Sequence, residues 1–306
     1  MKIAVMGAGA LGCYFGGRLA ASGVDVAFIA RGAHLDAMRT NGPRIESPLG
    51  DASLPKVVAT DDPAEIGVVD YVFFLVKLQD TAAALPAIKP LLGPETAILS
   101  FQNGVEAWGM IGDAYGPARV IGGTAKIPAE ISEPGVCRHN APIAELKIGE
   151  FGDAKNDRCG VLAAALGAVG ADATVVDDIE VKIWEKFVML TALSAATAIC
   201  RSPLGPIRDD PAANEILRRA AAETLTLGKI MCNGLSDACL DEVLGFFANA
   251  PAGIRSSLLD DLMRGKPLEV AYLSGAVARL SAKHGIGAPT HDLVARALSI
   301  HAAGEA

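Results

Sequence analysis

Positive charge is scarce in this chain and nowhere gathered. In 306 residues, 27 Lys and Arg stand against 35 Asp and Glu, for a net charge of −8, whereas binding to a phosphate backbone needs a clustered basic face. A nucleic-acid partner is therefore not expected. Among the six cysteines, Cys13, Cys137, Cys159, Cys200, Cys232 and Cys239, there is no Cys-x-x-Cys pair. No histidine lies near Cys232 and Cys239 to complete a metal set, so no metal is expected and the thiols read as reduced and mostly buried. Long apolar runs are missing too, although 51% of the residues are hydrophobic and mean hydropathy is +0.35. The longest uncharged stretch near the middle, 187–200, lies between Lys186 and Arg201 and is shorter than the roughly 20 residues that span a bilayer. It reads as a buried helix with no membrane partner. The apolar excess reads as a large core and a subunit interface, which makes a homodimer the expected assembly. Lys2 already opens a strand, so no signal peptide is expected and the location reads as cytoplasmic. There is neither repeat nor low-complexity linker, and the length suffices for two domains, each with its own core.

What is present begins at the first residue. A short apolar run, Lys2-Ile3-Ala4-Val5-Met6, leads into Gly7-Ala8-Gly9-Ala10-Leu11-Gly12, then a small-residue helical pattern to Ser22, then Asp25-Val26-Ala27-Phe28-Ile29-Ala30-Arg31. A buried strand that ends in a glycine turn and opens straight into a helix aims unpaired N–H groups and the positive helix end at one point, where a pyrophosphate is held. Gly7 permits the turn, Gly9 leaves no Cβ between backbone and phosphate, and Gly12 lets the helix lie close on the strand. An acidic residue is missing at the end of the second strand, where an NAD-specific site places one for the ribose 2′-OH. Arg31 stands there instead, and a guanidinium pairs with phosphate by charge-assisted bonds. The expected cofactor is NADP(H), with His34 as a second contact; the alternative for Arg31 is a solvated loop cation.

Alternating strand and helix continue. Strands are expected over 54–59, 70–76, 96–101 and 119–121, helices over about 81–92 and 105–115, and a loop over Gly122-Gly123-Thr124-Ala125-Lys126. In an open parallel sheet the ligand sits outside the carboxyl ends of the strands, so Gly7 to Gly12, Arg31, Lys77, Asn103 and Ala125 should converge. An antiparallel pair, 136–139 against 145–148, a helix over 157–169 and a strand over 173–176 close this part. From Asp177 onward helical periods take over, punctuated by prolines. The expected fold is α/β: an N-terminal Rossmann-type doubly wound parallel sheet, 1–177, and a C-terminal all-helical domain, 178–306, for substrate and dimerisation. A site between the two is the default expectation.

Lys186 lies in an otherwise largely apolar helix, where a lysine either snorkels to water or stays in a cleft with a lowered pKa. Glu269 follows Gly265-Lys266-Pro267-Leu268 in the first turn of a helix running to about His284, where a carboxylate complements the helix dipole. Ser256 and Ser257 suit a helix cap. Lys126 at a strand's carboxyl end is either a solvated loop cation or a partner for a substrate carboxylate.

In order, the segments Gly7-Ala8-Gly9-Ala10-Leu11-Gly12, Val76-Lys77, Gln102-Asn103-Gly104, Trp184-Glu185-Lys186, Ser256-Ser257-Leu258-Leu259-Asp260-Asp261, Gly265-Lys266-Pro267-Leu268-Glu269 and Gly285-Ile286-Gly287-Ala288-Pro289-Thr290 make a chain that resembles the ketopantoate reductase family over nearly its full length. The resemblance implies NADPH as cofactor and reduction of a 2-oxo acid, ketopantoate first, to a 2-hydroxy acid. It implies Lys186 as general acid, and Glu269 to orient it and accept from a substrate hydroxyl or the nicotinamide ribose. Asn103 would act at the nicotinamide end and Ser257 would donate to substrate. Gly7, Gly9, Ala10, Leu11, Gly12, Arg31, Lys77, Ala125 and Glu269 would line the cofactor site. The chain departs from the family at Leu190, where a substrate-contacting asparagine is usual four residues after the lysine. Leu190 shares a helix face with Lys186, which opens a second reading in which a different 2-oxo acid is preferred and Lys126 takes its carboxylate. A reading of another class is a non-catalytic NADP(H) sensor, which needs no acid. Oxidation in the reverse direction would use the same residues.

Overall fold

The computed structural model describes residues 1–152 and 157–304. It divides into two compact units, one holding Met1–Gln102 with Glu106–Ile179, the other holding Asn103–Val105 with the described residues from Glu180 on.

The first unit contains β1 (Lys2–Met6), β2 (Asp25–Ile29), β3 (Arg44–Glu46), β4 (Ala52–Ser53), β5 (Val58–Thr60), β6 (Val69–Phe74), β7 (Leu92–Ser100), β8 (Val120–Lys126), β9 (Ala129–Glu133), β10 (Val136–His139), β11 (Glu145–Glu150) and β12 (Asp172–Val175). Its helices are α1 (Ala10–Ala21), α2 (Gly32–Asn41), α3 (Thr81–Ala84), α4 (Ala107–Tyr115) and α5 (Arg158–Ala168). Eight strands form one sheet in the order β12-β11-β8-β7-β6-β1-β2-β5, and four form another, β4-β3-β10-β9. From β5 to β8 all neighbours in the large sheet are parallel, so those carboxyl ends share one edge. The chain leaves β1 on one side for β2 and returns on the other as β6, which places the reversal of strand order beside the glycine turn. Both faces of the sheet are covered. Ile3, Val5, Phe28, Tyr71 and Phe73 face one core, while Ala4, Met6, Ile29, Val72 and Phe74 face another, which explains why these strands read as unbroken apolar runs.

Three expectations fail in instructive ways. The helix over 81–92 is only the single turn α3, flanked by 3₁₀ turns Leu78–Asp80 and Pro86–Leu91. Pro86 and Pro90 lack the N–H that an α-helix needs. The loop over 122–126 is instead the second half of β8. Its glycines are there because a Cβ at Gly122 would lie 2.7 Å from the Phe151 ring and one at Gly123 would run into Phe101. The pair expected between 136–139 and 145–148 does not form. β10 pairs with β9 and β3, whereas β11 pairs with β8 and β12.

The second unit is helical: α6 (Ile179–Cys200), α7 (Leu204–Asp209), α8 (Pro211–Met231), α9 (Ala238–Asn249), α10 (Ser257–Met263), α11 (Ser274–Lys283) and α12 (Pro289–Leu298). Contrary to the expectation drawn from its uncharged run, α6 has 22 residues and is long and apolar enough to cross a membrane. The charged residues at its start belong to the same helix, and 61% of its most apolar window is buried in the fold. Trp184, Phe187, Val188 and Ala192 are among its buried side chains, and α8 approaches so closely that a Cβ on Gly228 would lie 2.9 Å from the Trp184 ring. A buried polar chain ties four helices together. Thr191 and Thr224 share a hydrogen bond of 2.8 Å, Thr224 meets His291 Nε2 at 2.9 Å, and His291 Nδ1 meets Ser274 at 3.1 Å.

Candidate functional site

β1 stops at Met6 because Gly7 turns the chain with φ of +98°. A Cβ on Gly7 would lie 2.7 Å from Val76 N and 2.8 Å from Leu75 C, main-chain atoms that cannot yield. The N–H groups of Gly7 and Ala8 both donate to Ile29 O, at 3.2 and 3.1 Å, and pin the turn to the end of β2. Gly12 closes the other side, since a Cβ there would run into Gly7 O and lie 2.7 Å from Val5 Cγ1. Gly9 differs from both. It is exposed, has nothing within 4 Å of where its Cβ would stand, and precedes α1 without any side-chain cap. Ala10 and Leu11 are the first helical residues, and the first turn holds no acidic side chain. Unpaired N–H groups at the positive helix end thus open onto free space, an arrangement that fits a pyrophosphate.

Arg31 is exposed and N-terminal to α2, whose first turn also lacks an acid. His34, expected as a second phosphate contact, is held by the protein itself. Its Nδ1 accepts from Gly135 N–H at 3.0 Å and its Nε2 lies 2.8 Å from Ala8 O, so both ring nitrogens are engaged within the protein. Lys77 is exposed and immediately precedes the 3₁₀ turn after β6. Ser100 pairs with Gly122, so β8 runs past the end of β7 and carries buried Ala125 and exposed Lys126 beyond it. Lys126 is ion-paired with Glu145 across β11 at 3.4 Å. Gln102 has a task that its sequence context did not suggest. Its amide donates to Val76 O at 2.7 Å and Thr81 Oγ1 at 2.9 Å, while its carbonyl oxygen accepts from Ser100 Oγ at 3.0 Å, bracing the segment that leads into Lys77.

In the second unit Lys186, Asn103 and Glu269 come together. Lys186 Nζ donates to Asn103 Oδ1 at 3.0 Å. Burial pulls the ammonium pKa down to about 8, and the Glu269 carboxylate opposes that fall. Neighbouring Glu185 faces Lys182, at 3.0 Å, so the charge nearest in sequence goes elsewhere. Glu269 opens a 3₁₀ turn, Glu269–Tyr272, which Leu273 separates from α11 with φ −103° and ψ −97°. The single helix expected over this segment is therefore two pieces. Leu190 lies one turn beyond Lys186 on α6, half-buried, and contributes no donor. Of the two serines, Ser256 is buried, caps α10 by accepting from Leu259 N–H at 3.0 Å, and shares a 2.7 Å bond with Thr197. Ser257 is exposed as the first residue of that helix.

Comparison with known proteins is consistent along the chain. A family model described as ketopantoate reductase PanE/ApbA matches residues 3–153, and the model of its C-terminal part matches 178–302. A 2-dehydropantoate 2-reductase of Mesorhizobium japonicum is 31% identical, covering 96% of this chain and 95% of its own. The crystal structure of 2-dehydropantoate 2-reductase from Geobacter metallireducens is similar with a TM-score of 0.90 at 30% identity, over 98% of this chain and 99% of that one. D-mandelate dehydrogenase, in a structure with NADH and anilino(oxo)acetate, reaches a TM-score of 0.88 at 21% identity over 99% and 98% of the two chains, a likeness of fold alone.

Proposed function

The chain belongs to the ketopantoate reductase PanE/ApbA family, and from that membership we propose that it reduces a 2-oxo acid to the 2-hydroxy acid with NADPH, 2-dehydropantoate (ketopantoate) being the first substrate to test. As a family member it is an oxidoreductase acting on CH–OH groups. The observation that carries the reading is the Lys186 ammonium, held by Asn103 and lowered to a pKa of about 8. When bound, the reduced nicotinamide supplies the hydride that the 2-oxo carbon accepts. Lys186 supplies the proton. As negative charge gathers on the carbonyl oxygen, a nearby ammonium stabilises it and transfers its proton to it, and a pKa close to ambient pH suits that task. Asn103 orients the ammonium through its side-chain oxygen, and Glu269 keeps enough of the lysine protonated at neutral pH.

The cofactor assignment rests on Arg31. A guanidinium at the end of β2 attracts a 2′-phosphate where an NAD-specific site would carry a repelling carboxylate. Gly7, Gly9, Ala10, Leu11 and Gly12 hold the pyrophosphate, with Lys77 and Ala125 lining the same strand edge. The sensor reading has no use for a buried lysine tuned by a carboxylate.

Leu190 favours a second reading. A pocket wall without a hydrogen-bonding group disfavours a hydroxylated substrate, because the substrate hydroxyl loses its partner. Ser257 then donates to a substrate whose remainder is apolar. Lys126 is the candidate for the substrate carboxylate; its exposed pair with Glu145 is worth under about 1 kcal/mol and yields readily. Single-turnover loss of NADPH absorbance with ketopantoate and with analogues lacking its hydroxyl decides between the two. Preference for ketopantoate supports the first reading, preference for the analogues supports the second, and no turnover with any of them removes the reductase assignment. In the second case Leu190→Asn should move the preference back toward ketopantoate.

A further inference from the structure

The glycine turn carries a weakness that its own residues cannot correct. The Ala8–Gly9 peptide rotates through ψ of Ala8 and φ of Gly9, and the glycine, having no Cβ, leaves that rotation open on its side. A rotated peptide would aim the Ala8 carbonyl, instead of the Gly9 N–H, at an anion, turning an attractive dipole into a repulsive one. His34 prevents this. Because Gly135 N–H donates to Nδ1 at 3.0 Å, that nitrogen bears no proton, and the hydrogen is on Nε2, which donates to Ala8 O at 2.8 Å. Burial holds the ring's pKa below its usual value, in keeping with this neutral form. The peptide is planar and trans, so fixing Ala8 O toward His34 fixes Gly9 N–H on the opposite side. Gly135 immediately precedes β10, and two residues on, Cys137 Sγ lies 3.4 Å from Ala10 O. The smaller sheet therefore reaches the turn at two successive points.

We propose that His34 is a positioning residue of the dinucleotide site, locking the Ala8–Gly9 peptide against β10 through Ala8 O and Gly135 N–H while making no contact with the cofactor itself. The inference rests on the dinucleotide-binding reading above, and it separates His34 from Arg31 in function. Arg31 discriminates between dinucleotides by the 2′-phosphate. His34 shapes the cradle for the pyrophosphate, which both dinucleotides carry.

The test is direct binding of NADPH and of NADH to the full chain by isothermal calorimetry, with the unliganded melting temperature measured beside it. His34→Ala should weaken both dinucleotides by the same factor, about tenfold, the size of one net hydrogen bond. Arg31→Ala should weaken NADPH alone. His34→Gln, whose amide restores one donor at the position of Nε2, should recover part of the loss for both. Should His34→Ala fail to fold, His34→Gln carries the test, with a parallel and smaller weakening expected. A loss confined to NADPH makes His34 a phosphate contact and overturns the proposal, as does unchanged binding of both. Wild-type protein that binds neither dinucleotide overturns the parent reading instead.

Discussion

Lys186 is an ammonium kept where water cannot fully stabilise it, and two consequences follow from that cost. The first is kinetic. A general acid must carry its proton, so kcat/KM for 2-oxo acid reduction should fall as pH rises through about 8. Glu269 opposes the lowering of that pKa, so Glu269→Gln should move the falling limb to lower pH, an outcome read from the pH–rate profile of the variant. The second is thermodynamic. Between pH 8 and the ordinary value of 10.5 the unfolded chain binds more protons than the folded one, so stability rises with pH across that window, and below it the full cost of the buried charge is present. The cost is at most about 3 kcal/mol, and less because the side chain is only partly enclosed. Lys186→Met should therefore raise the urea midpoint of the unliganded protein at pH 7 while cutting turnover by about 10²–10⁴-fold. A residue kept for packing alone would lose stability with activity. Lys186 and Glu269 stand out in the sequence through the family's motif series. The hydrogen bond from Lys186 to Asn103, across 83 residues, is not legible there, because local periodicity carries no information about which distant loop meets a helix face.

α1 is the element on which the dinucleotide reading turns, and its glycines are not equivalent. Gly12→Ala drives a methyl into Gly7 O, a main-chain atom already pinned through its neighbours. The overpacking should cost about 1–3 kcal/mol, outweighing the gain in helix propensity of up to about 1 kcal/mol. Gly9→Ala meets nothing within 4 Å, so it should leave the urea midpoint unchanged and, on the proposed reading, still weaken NADPH binding, because the methyl enters the space proposed for the phosphate. Equal losses of stability in the two variants would contradict these separate tasks. The same strand, turn and helix were readable from the first 31 residues, since each step depends on neighbours in sequence. Gly122 and Gly123 misled for the opposite reason. They look like a loop, but they occur within β8 to admit the Phe151 and Phe101 rings, and those rings come from other elements. Pro86 and Pro90 were visible, and only their position inside a period-matched stretch hid the break they cause.

At the scale of the whole molecule, the change from alternating strands and helices to helices alone is legible in composition. Strand partnership is not: β10 pairs with β3 from far earlier in the chain, and no feature of 136–139 names that partner. His34 illustrates the cost of this gap, since its role depends on Gly135 standing opposite it. The uncharged run 187–200 understated α6, because the charges in its first two turns belong to the same helix, whose apolar remainder packs inside the fold. The cysteines offer a practical handle. Five of the six free thiols are buried, and only Cys200 is exposed, at the last residue of the helix that carries Lys186, roughly 20 Å along its axis. Partial burial and Asp210 raise the Cys200 pKa, so the reactive thiolate is sparse at neutral pH. A maleimide dye applied at mildly alkaline pH should attach one fluorophore per polypeptide, and none to Cys200→Ser. Site-specific spectroscopy can thus follow the far end of the helix that bears Lys186 during turnover without first removing any other thiol.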